Sequence, residues 1–128
     1  MKLNILKKKH NFFKNKIKIR SFKVSHGSIN SLCYIINDKL AYASDVSHIN
    51  EKDYSKIYKM NYFVIDCLRE EPHPSHYNLD KVLELVKEIK PKQTILTNLH
   101  STLDYEKLKK KLPKSIIPAY DGMKILIN

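Results

Sequence analysis

The sequence predicts a layered α/β fold, and three observations carry that reading. Short apolar runs bounded by turn residues recur at residues 32–36, 40–44, 61–68 and 93–97, as buried strands do. Segments with helical spacing separate the later runs, most clearly Leu79, Val82, Leu83, Val86 and Ile89. Imidazoles and a carboxylate collect where strands run out into loops: His26 after Ser25, Asp45 after Ser44, His100 after Asn98-Leu99. When helices pack on a sheet, strand ends of this kind converge at one edge.

Taken in order, residues 1–15 mix lysines with apolar residues and read as a short helix or a basic arm. Residues 16–25 alternate Ile17, Ile19, Phe22 and Val24 with Lys and Arg, a half-buried strand with a slip near Ser21. His26-Gly27 bends the chain, since glycine accepts positive φ. Residues 32–36 form the next strand, and Asn37-Asp38-Lys39 turns it tightly into residues 40–44. Asn50 caps a short helix over residues 51–58. Residues 61–68, NYFVIDCL, are almost continuously apolar, as a strand covered on both faces would be. A proline-rich loop follows, and Asn78 caps a helix that ends at Pro91. After the strand at 93–97, Ser101 and Asp104 suggest a capping box for a helix over about 104–111. Two short strands near 115–118 and 123–127 close the chain, with Asp121-Gly122 between them.

The chain's 128 residues suit one domain or part of one. Its formal charge of +11 is unevenly spread: residues 1–24 carry nine basic groups and no acid, leaving about +2 for the remainder. Nearly every basic residue is lysine, whereas phosphate-reading surfaces also favour the bidentate guanidinium. Nucleic-acid binding is therefore not expected, and a basic protein acting through residues 1–24 is kept as an alternative. Cys33 and Cys67 fall inside strand-like runs, which fits reduced, buried thiols in a cytoplasmic protein. No stretch of eighteen apolar residues occurs, so no membrane span is expected. Nor does the lysine-rich start read as a signal peptide.

Asp45, at the end of the run LAYASDVS, either starts a turn or caps the next helix, or belongs to a site shared with the histidines. Imidazole plus carboxylate without thiolate suits a Zn, Mn or Fe centre that activates water.

The words VSHGS (24–28), LAYASDV (40–46), FVIDCL (63–68), HPSHYNL (73–79), ILTNLHSTLDYEKL (95–108) and IPAYDGMKI (117–125) stand in one order. Together they resemble the C-terminal half of metallo-β-lactamase-fold hydrolases, in the branch of the cyclic-phosphate phosphodiesterases of phosphonate metabolism. The resemblance implies half of an αββα sandwich over residues 16–128, one mixed sheet with helices on one face. It also implies His26 and His100 as ligands of different metals, Asp45 as the carboxylate bridging them, and His76 as general acid. The cofactor would be zinc or manganese, and the reaction hydrolysis of a phosphodiester-type small molecule by metal-activated hydroxide. His48 and His73 are expected at exposed loop positions.

The family's H-x-H-x-D-H word does not occur in this sequence. With His26, Asp45 and His100 alone, each of two cations would have two protein ligands, where zinc usually takes three or four. Weak metal binding and little or no turnover are therefore expected of this chain alone. The inner sheet face, with Leu32, Tyr34, Tyr42, Phe63, Ile65 and Ile95 as candidates, would need cover. A separately encoded N-terminal half or a second copy in a homodimer would supply it. The function classes are a split or truncated hydrolase, a non-catalytic remnant or interaction module, and the basic nucleic-acid binder. Under the last, deleting residues 1–15 should abolish steeply salt-dependent nucleic-acid binding. Fluorescence anisotropy over a salt series checks this, and unchanged affinity after the deletion excludes the arm as the binder.

Overall fold

Ile17 and Ile19 do not share a face with Phe22 and Val24. In a computed structural model, which describes residues 12–14 and 17–127, strand β2 (Ile17–His26) runs unbroken against β3 (Ile29–Ile36). Their antiparallel register continues from Ile19 opposite Ile36 to His26 opposite Ile29. Successive side chains alternate between faces, so an odd spacing changes sides. Phe22 and Val24 are buried on one face, while Ile17 and Ile19 stand on the other. The slip expected near Ser21 is a change of apolar face, with no bulge. Strand β1 (Phe12–Lys14) pairs antiparallel with β2; residues 1–11 and 15 of the expected arm lie outside the described residues.

The β3–β4 turn is the one expected. Asn37 and Asp38 both take positive φ (51° and 54°), which their short polar side chains tolerate. The Lys18 backbone N–H donates to Asn37 Oδ1 at 2.9 Å, and Asp38 pairs with Lys18 and Arg20, which hold its carboxyl below the usual range. Strand β4 (Leu40–Ala43) leads, through a 3-10 turn at Glu51–Asp53 capped by Asn50, into helix α1 (Tyr54–Ile57). Strand β5 (Tyr62–Asp66), helix α2 (Leu79–Ile89), strand β6 (Gln93–Thr97), helix α3 (Tyr105–Lys111) and strand β7 (Ile116–Pro118) follow.

Three local expectations change. Asn78 stands at the start of α2, but its amide donates to Glu70 O at 2.8 Å and makes no cap hydrogen bond. Asp104, not Ser101, caps α3 by accepting the Lys107 N–H at 2.8 Å. Residues 123–127 form no strand. Instead Met123, Ile125 and Ile127 pack over Leu40, Val64 and Ile95.

The described strands form one seven-stranded sheet in chain order. β1 to β4 are antiparallel neighbours, and β4 to β7 run parallel. Leu79, Val82, Leu85 and Ile89 of α2, Ile57 of α1 and Leu108 of α3 pack in one cluster with Phe22, Cys33, Ala41, Phe63, Ile65 and Leu96. The helices thus cover a single face, and each large side chain buried there contributes about 1.5–3 kcal/mol. Phe63 and Ile65 belong to this covered face, and Ile95 lies under the C-terminal segment. Of the candidates for an uncovered face, Leu32, Tyr34 and Tyr42 remain, with Tyr42 39% exposed. Among the described residues, no helix is long and apolar enough to cross a membrane.

Burial pushes both thiols up to about 12, with Asp53 adding to the effect at Cys33 and Asp66 at Cys67. The native protein should therefore resist thiol labelling near pH 8 and label at both cysteines once unfolded. Because the folded thiols ionise later than free ones, the unfolded chain loses protons first. Stability from this source is complete below about pH 8.5 and falls as pH rises toward 12. Denaturant midpoints measured between pH 8 and 11 check the sign.

Candidate metal centre

Two reversals of direction, from β2 to β3 and from β3 to β4, make β2 and β4 run the same way. β5 and β6 are parallel to β4. The C-terminal ends of these four strands therefore share one edge of the sheet. His26 ends β2, Asp45 follows β4, Asp66 ends β5 and Asn98 follows β6. Asp45 and Asn98 both take positive φ, 54° and 59°. Such strained backbone persists where its surroundings fix it; at Asp45, Ser31 Oγ donates to the carbonyl oxygen at 2.7 Å.

Among the described residues, one group of metal-ligating side chains converges. One donor atom each of His26, Asp45 and His76 lie within 4.8 Å of one another. The rings of His26 and His76 meet edge to face at 4.8 Å between centroids. Each imidazole is held from behind. His26 Nδ1 lies 2.6 Å from Ser75 O, and a carbonyl only accepts, so Nδ1 carries the proton and Nε2 is left with its lone pair. His76 Nδ1 lies 2.5 Å from Asp66 Oδ2, which fixes the same tautomer. Asp66 is fully buried and also accepts the Val46 N–H at 3.0 Å and the Asn98 amide at 3.3 Å. Carboxylate and carbonyl partners of this kind orient metal-binding histidines.

Gly27 lets the 69–78 loop come this close. It has φ +59°, and a Cβ there would lie 2.7 Å from Ser75 Oγ. Tyr77 pins the loop's far end: its N–H donates to Val46 O at 2.8 Å and its hydroxyl accepts the Ile49 N–H at 2.9 Å. Burial pushes that hydroxyl up to about 12.

His100 does not join the three. It is exposed, with Nδ1 3.1 Å from Thr102 Oγ1, although its N–H donates to Leu68 O at 2.8 Å and so anchors its loop beside the exit of β5. His48 is exposed, as expected. His73 is partly covered and packs 5.1 Å from the His76 ring. Desolvation, followed by the His76 imidazole, holds His73 below the usual histidine range. The sequence reading missed Asp66, Ser75 and Asn98. Only Asp66 gave a signal, as a lone carboxylate in an apolar strand that needs buried partners.

Neither a family model nor a curated protein sequence matches the chain. Solved structures do. A new diphosphatase from the PhnP family matches with a TM-score of 0.87 and 27% identity, over 93% of this chain and 47% of its own. The metallo-β-lactamase fold protein YhfI from Bacillus subtilis matches with a TM-score of 0.72 and 16% identity, over 88% and 50% respectively. The chain has the fold of a metallo-β-lactamase C-terminal half. Zn(2+)-bound PqqB from Methylobacterium extorquens is also similar to this half, with a TM-score of 0.71 and 13% identity over 87% of the chain and 50% of its own. The chain spans about half the length of these structures.

Two neutral imidazoles with free Nε2 and one carboxylate are a donor set that fits a zinc-type divalent cation. Three protein ligands also leave a position open. Asp66→Asn keeps an acceptor for the Val46 N–H but removes the anionic partner of His76 Nδ1. It should weaken zinc binding about 10- to 100-fold with the fold retained. Competition with a chromogenic chelator, alongside circular dichroism, checks both parts.

Proposed function

We propose that this chain is one half of a metal-dependent phosphodiester hydrolase, inactive by itself and completed by a half that carries the H-x-H-x-D-H ligands. The convergence of His26, Asp45 and His76 at one sheet edge, with both imidazoles oriented from behind, carries this reading. The likeness to a PhnP-family diphosphatase supports phosphoryl chemistry. The open face around Leu32, Tyr34 and Tyr42, flanked by Ile17 and Ile19, is the surface for the completing half, with a homodimer as the competing arrangement.

His26, Asp45 and His76 would hold the cation, and His100 would join from the loop after β6 when the second half is present. A bound zinc or manganese ion supplies Lewis acidity toward the phosphoryl oxygen and lowers the pKa of water. With its ring proton held on Nδ1 by Asp66, His76 would turn its free Nε2 to the cation, in place of the general-acid role that the resemblance implies for it. Asp66, fully buried, holds the His76 ring through Nδ1 and so keeps Nε2 toward the site. A non-catalytic remnant or interaction module is the alternative reading.

Co-expression with an H-x-H-x-D-H-bearing half should yield zinc- or manganese-dependent cleavage of bis(p-nitrophenyl) phosphate, where this chain alone gives none. Asp45→Ala should abolish it, and His76→Ala should lower kcat by about 10²-fold or more. No gain at any metal concentration would favour the remnant.

A further inference from the structure

A groove lies between residues 47–54 and helix α2, on the far side of His73 from the metal-ligand cluster. His73 stands at the junction: it lines the groove and packs against His76. Its tautomer is opposite to that of its neighbours. The Ser75 N–H donates to His73 Nδ1 at 3.1 Å, so the ring proton of the neutral imidazole is on Nε2. His26 and His76 thus offer a lone pair to a cation, while His73 offers an N–H, which suits an oxygen acceptor instead.

The walls define what kind of group fits. Tyr54, Tyr77 and Leu85 give it an apolar, partly aromatic side. Tyr77 is buried and tied through its hydroxyl to Ile49, so that side is fixed in place. The charged residues are Glu51, Glu84 and Glu88 against Lys81 and Lys87, which gives no positive excess to attract a further phosphate.

We propose that this groove seats the alcohol portion of a phosphoester, an uncharged and partly aromatic group, and that His73 orients it by donating from Nε2 to the ester oxygen. The inference rests on the hydrolase reading and names the side of the substrate that the reading leaves open. His73 acts here as a positioning residue, distinct from the ligands His26, Asp45 and His76.

The test uses the full chain supplemented with zinc, with phenyl phosphate and inorganic phosphate as probes. Long-range proton–nitrogen NMR of the imidazoles should find His73 protonated at Nε2 and His26 and His76 at Nδ1. Phenyl phosphate should bind more tightly than inorganic phosphate. His73→Ala should weaken phenyl phosphate about tenfold with zinc and inorganic phosphate affinities unchanged, and His73→Gln, which keeps an N–H donor, should recover most of the loss. The proposal is overturned if His73 is protonated at Nδ1, or if His73→Ala weakens both anions equally. Equal binding of the two probes by the unsubstituted protein overturns the groove assignment and leaves the hydrolase reading standing. Failure of both anions to bind in the presence of zinc overturns this inference and leaves the hydrolase reading to the co-expressed halves.

Discussion

The carboxylate of Asp66 is the interaction on which the site depends. It sits fully buried at the end of β5, where an unpartnered charge would be severely penalised. Three groups relieve that penalty: the Val46 N–H, the Asn98 amide and the His76 imidazole. They come from the loop after β4, the loop after β6 and the loop before α2. One side chain thereby ties together three segments that lie well apart in sequence. The convergence of His76 with His26 and Asp45 is a consequence of satisfying that buried charge.

A second constraint acts from the other side. Gly27 and Ser75 approach so closely that any side chain at position 27 would meet the serine hydroxyl. The same serine's carbonyl fixes the His26 tautomer. Packing and ligand orientation are therefore one arrangement at this point, and the left-handed backbone at Gly27 serves both.

Much of the fold was legible in the sequence because it follows periodicity. The strand at Gln93–Thr97, the helix carrying Leu79 and Val82, and the Asn37-Asp38 turn all stand where spacing and turn chemistry put them. The sidedness of the sheet was less legible. Phe63 and Ile65 were as plausible for the open face as Tyr42, because an apolar strand does not reveal which of its faces meets helices. Met123, Ile125 and Ile127 alternate like a strand, yet they have no strand partner and serve as cover. Asp45 and His26 were found at strand exits by position alone. His73 and Asp66 needed coordinates, since their roles lie in which nitrogen or oxygen faces which partner.

The sheet's strands stand side by side in the order in which they occur along the chain. No strand has to wait for a distant segment to be inserted between earlier neighbours, so each can dock on an edge already formed. Such topology spares the chain any threading between strands already paired, while each parallel pair from β4 onward still closes a crossover, a slower step than a hairpin. Ordering of the polypeptide can accordingly spread from the first hairpin outward, and each newly made strand finds its template in place.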